Sequence, residues 1–337
     1  MEFNLHTDFS EIPAQAWNQL ASAGICNTPF ARHDYLSLWW STQGGGEWSG
    51  SELALISASE GGRLAGLAPM FRTDHDGRPR LLLVGSIEIS DYLDIVVQPE
   101  DTSRFVSGLL DFVQQLPEFR DLPLDWYNIP QSSPTIPALR AEAALRGWDF
   151  REDPFRPTPY IPLEGDFEAY LAHLDKKQRH EIRRKLRRAS EGAAPAQFQV
   201  LENPSFLEAS IEQFLELMAQ DIDKARFLSA PMREHMRRLM RLAWKGGFLW
   251  LAFLTVNGRA AAAAFNFNYQ NKLWGYNSAV NRDFMDLSPG WVLLAHQIRW
   301  ACEHGYSELD FMRGDEDYKY RFGGVSRRVM RVGVTPA

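Results

Sequence analysis

The run FLWLAFLTVNGRAAAAAFNFNYQNKLWGYNSAV, residues 248–280, decides the fold class. It holds three apolar stretches, Phe248–Val256, Arg259–Tyr269 and Lys272–Val280, separated by Asn257-Gly258 and Gln270-Asn271. Asn-Gly is the pair that two-residue hairpin turns select, because both central residues need positive φ. The pattern predicts three antiparallel strands, then a helix over Pro289–His304, then a buried strand over Glu308–Met312. That is an α+β order, unlike the regular βαβ alternation of a dinucleotide-binding domain. No GxGxxG follows a strand and no GxxxxGK[ST] occurs, so two common nucleotide-site signatures are missing.

The helix opens at Ser288-Pro289-Gly290. Ser288 suits an N-cap, and Pro289 suits the first helical position, where a missing N–H costs nothing. Gly290 lets another group approach the backbone closely. First-turn amides carry the positive end of the helix dipole, which suits a pyrophosphate, although a well-capped structural helix reads the same way. The following strand runs into Asp310-Phe311-Met312-Arg313-Gly314-Asp315-Glu316-Asp317-Tyr318-Lys319, a turn dense with ionisable groups. There Arg313, beside Gly314, and Lys319 suit phosphate oxygens, and Asp310 suits an orienting or proton-accepting role. Tyr318 suits proton donation to a departing thiolate. A solvated charged loop with local salt bridges is the competing reading.

Upstream, short helices are expected at Glu11–Ala23 and His33–Trp40, and a loop at Ser41–Ser51. A hairpin is expected about Gly61-Gly62, with strands at Arg80–Val84, Tyr92–Val97 and Leu122–Ile129. Helices follow at Thr102–Leu116 and Pro134–Arg146, the latter closed by Gly147. A proline-rich crossing, Pro154–Pro162, leads to a boundary near Glu164. Beyond it lie a long helix, Phe167–Ser190, and helices at Pro204–Ile222 and Ala230–Lys245.

The chain of 337 residues is long enough for two domains, and its 45% hydrophobic content suits ordinary cores. Cys26 and Cys302 stand far apart with no CxxC pair, which argues against a zinc site or a disulfide framework and fits a reducing cytoplasm. No metal is expected. The N-terminal residues lack a signal-peptide pattern, and no apolar run reaches the ~20 residues of a membrane span. A cytoplasmic location is the expectation. Net charge is −7, yet residues 176–188, KKQRHEIRRKLRR, carry eight Lys/Arg and one Glu. Lys176, Arg179, Arg183 and Arg187 recur at helical spacing on one face. This face reads as a solvated surface, a phosphate clamp or an RNA contact; the acidic remainder argues against general nucleic-acid binding.

The strings Gly275-Tyr276-Asn277, Ser288-Pro289-Gly290 and Asp310–Lys319 resemble the acetyltransferase-like domain of cellulose and exopolysaccharide biosynthesis proteins. That family belongs to the GNAT superfamily and is related to Fem-type peptidyltransferases. Further matching segments are Ile129-Pro130 with Ser133-Pro134, Pro159–Leu163 and Lys176–Arg179, so the resemblance spans most of residues 80–323. It departs at residues 281–290, which lack the Gln/Arg-x-x-Gly-x-Gly/Ala pyrophosphate loop. The resemblance implies an α+β fold of two tandem GNAT-like domains, each a mixed, largely antiparallel sheet flanked by helices. Residues 1–163 would form the acceptor side and 164–337 the donor side.

It also implies acyl-CoA as co-substrate and a small-molecule amine as acceptor. Ile89-Ser90-Asp91-Tyr92-Leu93-Asp94 resembles an acceptor-side motif of the family, which makes Asp91 and Asp94 candidates for binding or deprotonating the amine. An Asp capping the turn before the next strand is the alternative. Two other functions stay open. One is a Fem-like transferase using aminoacyl-tRNA, the only reading with a nucleic-acid partner. The other is a non-catalytic binding protein of a glycan or lipid pathway.

Overall fold

Hairpin turns set the local topology. The computed structural model describes residues 1–192 and 194–337. In it, Gly61-Gly62, Asn257-Gly258 and Gln270-Asn271 all adopt positive φ, the geometry that matches the twist of the flanking strands. The chain divides into two compact units, Met1–Pro157 with Arg328–Ala337, and Thr158–Arg327.

The first unit contains β1 (Glu2–His6), β2 (Glu52–Glu60), β3 (Arg63–His75), β4 (Arg78–Leu83), β5 (Val96–Val97), β6 (Leu124–Pro130) and β7 (Asp149–Pro157). The second contains β8 (Tyr160–Pro162), β9 (Ala196–Val200), β10 (Leu249–Val256), β11 (Arg259–Tyr269), β12 (Lys272–Val280) and β13 (Glu308–Asp310), in the order β8-β13-β12-β11-β10-β9. The chain then returns to the first unit as β14 (Arg328–Thr335), which lies between β6 and β7. The first sheet thus runs β1-β2-β3-β4-β6-β14-β7, with β5 on β3. Both sheets are mixed and flanked by helices, the α+β class that the strand pattern predicts.

The second sheet is covered on both faces because its strands are apolar at successive positions. Trp250, Ala252, Leu254, Ala262 and Ala264 pack with Leu293 and Ile298 of the helix Pro289–Glu303. Residues one step out of phase face the other way, so Phe265 meets Phe214 of the helix Leu207–Met218. Among the described residues, no helix is long and apolar enough to cross a membrane.

Several elements differ from expectation. Ser41–Ser51 is not a plain loop: Gln43–Gly46 forms a helical turn in which Gly44 and Gly45 take positive φ and are buried. A Cβ on Gly44 would lie 3.0 Å from the rings of Trp39 and Trp48, so the glycines allow close aromatic packing. The strand expected over Tyr92–Val97 shrinks to Val96–Val97. Before it, the Asn128 side-chain amide donates to the Ile87 and Ser90 carbonyls, the Leu93 amide donates to the Asn128 carbonyl, and the Ile95 amide donates to Asp94, in place of a continuous ladder. The long helix Phe167–Ser190 is two, Phe167–His173 and Lys176–Glu191, because Asp166 and Asp175 each cap a new start. Their carboxylates accept from the Ala169 and Gln178 amides at 2.8 and 3.0 Å.

Candidate active site

The chemistry-bearing turn begins where two strands part. Parallel pairing of β12 with β13 covers only Lys272↔Glu308, Leu273↔Leu309 and Trp274↔Asp310. β12 then continues to Val280 while β13 ends, which leaves a notch on that edge of β12. The β11–β12 register slips at the same level, between Phe265 and Phe267, so β12 bulges around Gly275-Tyr276. Bulges of this kind bend a strand and re-aim its side chains. A Cβ on Gly275 would stand 3.1 Å from the Asp310 carbonyl oxygen.

The turn beyond β13 is held from inside. Asp310 is wholly buried; its Oδ1 accepts the Met312 amide at 2.7 Å and its Oδ2 pairs with Arg327. Arg327 also bonds Glu308 at 2.5 Å and lies 4.1 Å over the Tyr160 ring. Lys319, 2% exposed, donates to the carbonyls of Arg313, Gly314 and Met312 at 2.9, 3.3 and 3.4 Å and pairs with Glu316 at 2.9 Å. Its charge is committed to closing a turn that contains Met312 and Gly314 at positive φ. Arg313 and Gly314 are half-buried at the same bend. Tyr318 keeps 40% of its surface exposed and meets Phe311 edge-on at 6.0 Å. Loss of water around the phenol, with Glu316 nearby, pushes its pKa up to about 12, so it carries its proton at neutral pH.

Lys224 also reaches this edge of the sheet, from the helix Ile222–Phe227, and contacts Asn277 and Ser278 of β12. Burial lowers its pKa from the ordinary lysine value. Sequence reasoning overlooked it because a lone lysine in a polar stretch carries no pattern.

The helix start differs from a side-chain N-cap. Ser288 is left-handed, with φ 52°, and its hydroxyl accepts the Lys185 ammonium at 2.7 Å instead of bonding a first-turn amide. Gly290 packs closely on Val280, where a Cβ would lie 3.1 Å from a methyl carbon. Lys185 sits 5.0 Å over the Trp291 ring, and Trp291 meets Phe322 at 4.6 Å. Lys185 and Trp291 line a pocket of about 550 Å³ with Lys177, Gln178, His180, Glu181, Arg184 and Arg321, in which Glu181 is the one carboxylate among the described residues. Of the helix Pro289–Glu303 this pocket takes Trp291, and of the segment after Asp310 it takes Arg321; Ser288, Gly290 and residues 310–319 are not among its lining residues. The basic helix turns its Lys177, Glu181, Arg184 and Lys185 side to this pocket. Lys176 and Arg179 do not line it, and Arg183 pairs with Glu168 beside a second pocket of about 290 Å³.

In the first unit, Asp94 is buried and accepts from Ser133 Oγ, Thr135 Oγ1 and the Ile95 amide at 2.5, 2.6 and 2.8 Å. Burial outweighs these three bonds and raises its pKa to about 6. Asp91 lies three residues earlier and is also buried. Tyr35 donates to the Ile89 carbonyl at 2.6 Å, and the Asn128 amide donates to the Ile87 and Ser90 carbonyls at 2.8 and 2.7 Å. Neither cysteine is activated: burial pushes Cys302 up to about 11 and raises Cys26 as well.

Residues 176–320 match the family model described as an acetyltransferase (GNAT) domain. That match lies within the second unit. Over the whole chain the fold is similar to that of FemX, with 12% identity, a TM-score of 0.67, and coverage of 98% of this chain and 97% of that one. It is also similar to a conserved protein of unknown function from Bacteroides thetaiotaomicron, at 11% identity and TM-score 0.61, covering 99% and 100% of the two chains. The C-terminal domain of a putative lysylphosphatidylglycerol synthetase from Agrobacterium fabrum gives 10% identity and 0.59, covering 95% and 90%. At these identities the likeness establishes the fold alone. Comparison with curated proteins by sequence gives no match.

Proposed function

We propose that this chain is an N-acyltransferase that moves the acyl group of an acyl-CoA to the amine of a small-molecule acceptor, such as an amino sugar in polysaccharide or envelope synthesis. The reading is carried by the pocket of Lys177, Arg184, Lys185 and Arg321, whose Lys185 also donates to Ser288 at the start of the helix Pro289–Glu303. The cations of this pocket suit the phosphates of CoA, with Arg184 shared with Glu181 at 2.8 Å and Arg321 with Asp317 at 2.6 Å. The Lys185–Ser288 contact supplies a cation where a glycine-rich pyrophosphate loop would supply amides.

In the proposed reaction the acceptor nitrogen attacks the thioester carbon, the C–S bond breaks, and Tyr318 protonates the departing thiolate. The amine proton leaves to water. Asp310 and Lys319 act by holding the turn that carries Arg313, Gly314 and Tyr318. High thiol pKa values and the burial of both cysteines favour direct attack over an acyl-cysteine intermediate.

The test is the melting temperature of the full chain with CoA and with several acyl-CoAs, followed by thiol release with a panel of amines. A rise that shrinks in Lys185→Ala and Arg321→Ala supports the reading, and the absence of any rise sinks it. A second reading, transfer from aminoacyl-tRNA, is favoured by the exposed cations of the helix Lys176–Glu191. It requires RNA binding that weakens steeply with salt.

A further inference from the structure

The notch at the end of β13 holds a polar couple with a defined direction. Lys224 lies on a six-residue helix that buries no residue of its own, and Asp221 caps that helix through the Asp223 and Lys224 amides. The lysine side chain crosses to β12, where its ammonium donates to Asn277 Oδ1 at 3.2 Å and to the Ser278 carbonyl. Asn277 Oδ1 also accepts the Ser278 amide at 2.9 Å. An ammonium and a backbone N–H can only donate, so the amide atom that faces them must be oxygen. The Asn277 NH₂ is therefore the end of the amide turned away from Lys224.

Its position adds to this. Asn277 stands three residues past Trp274, the last β12 residue paired with β13, and just beyond the bulge at Gly275-Tyr276. Glu316, held by Lys319 in the turn after β13, adds a favourable charge interaction with Lys224. The couple thus ties the free part of β12 to the helix Ile222–Phe227 and leaves an oriented hydrogen-bond donor at the point of strand separation. An acyl carbonyl under attack gains negative charge on oxygen, and a donor fixed beforehand stabilises that charge without reorganising.

We propose that Asn277 is a substrate-binding residue that donates from Nδ2 to the acyl carbonyl oxygen, and that Lys224 is the positioning residue that locks its amide. This rests on the acyl-CoA reading above. The test compares acetyl-CoA and CoA affinity on the full chain by calorimetry, because the two ligands differ by the acyl carbonyl. One hydrogen bond corresponds to a change of roughly fivefold in that affinity ratio. Asn277→Ala and Lys224→Met are expected to lower the ratio of acetyl-CoA to CoA affinity by about this factor, with CoA affinity itself retained. Lys224→Arg restores the ratio, and Asn277→Asp, which presents a second acceptor to the carbonyl, lowers it without changing side-chain size. An unchanged ratio in Asn277→Ala and Asn277→Asp, or equal weakening of both ligands, overturns the inference while leaving the donor reading intact. If neither ligand binds the wild-type chain, the donor reading falls and takes this inference with it.

Discussion

Replacing Asp94 with Asn should flatten the pH dependence of stability between about pH 4 and pH 6. The folded carboxyl has a pKa of about 6 against an ordinary 3.8, so folding captures a proton inside that window. Below it the group is protonated in both states and costs nothing. As pH rises, the unfolded chain ionises first and the folded state loses ground, until the loss is complete above about pH 6. A shift of about two units corresponds to about 3 kcal/mol, taking 1.36 kcal/mol per unit. The side chain is buried, so solvent screening does little to reduce this order-of-magnitude value. Urea unfolding of wild type and Asp94→Asn across the window isolates the effect, because every other titrating group cancels in the difference. Wild type should gain stability relative to the variant as pH falls from about 6 to about 4. A difference that stays constant, or that slopes the other way, would refute the argument that burial outweighs the Ser133, Thr135 and Ile95 bonds. Ser133→Ala should move the midpoint upward, since it removes one of the bonds that favour the charge.

Lys319→Ala should destabilise the second unit by about 2–4 kcal/mol, since it strands buried carbonyls and the Glu316 partner. Calorimetry should show a fall of several degrees; full thermal stability with lost donor binding would mean that the lysine serves a ligand instead. Tyr318→Phe is expected to lower kcat by roughly 10²-fold with little change in KM. Equal activity in both proteins would remove Tyr318 as the acid. Cys26→Ser and Cys302→Ser should each retain turnover under direct attack, and loss of activity in a folded Cys302→Ser variant would point to a covalent intermediate.

The second sheet was legible because its signals are local. Asn257-Gly258 and Gln270-Asn271 are adjacent residues whose backbone preference needs no distant partner, and both turned as read. Gly147 likewise closes its helix at φ 70°. Signals that depend on partners far along the chain failed. Nothing in residues 328–335 announces a strand between β6 and β7, since its partners lie roughly 170–210 positions away. Ser288 reads as a cap in isolation, yet a lysine 103 residues earlier takes its hydroxyl. The basic run was visible as charge, but which of its sides faces a pocket depends on Trp291 and Arg321. Lys319 looked like a phosphate ligand because sequence shows an ammonium without showing the carbonyls around it.

The return of the chain as β14 makes the second unit an insertion with adjoining ends. Pro157 and Arg328 are direct cross-strand partners, and the Thr158 amide donates to the Arg327 carbonyl at 2.7 Å. Entry and exit therefore lie about 5 Å apart. Residues 158–327 can be excised and the cut closed by a two-residue turn without stretching the first sheet. Deleting the last ten residues is far more disruptive, because it removes the strand that joins β6 to β7. In this protein a short tail at the C-terminus belongs to the framework, while half of the chain is a detachable module.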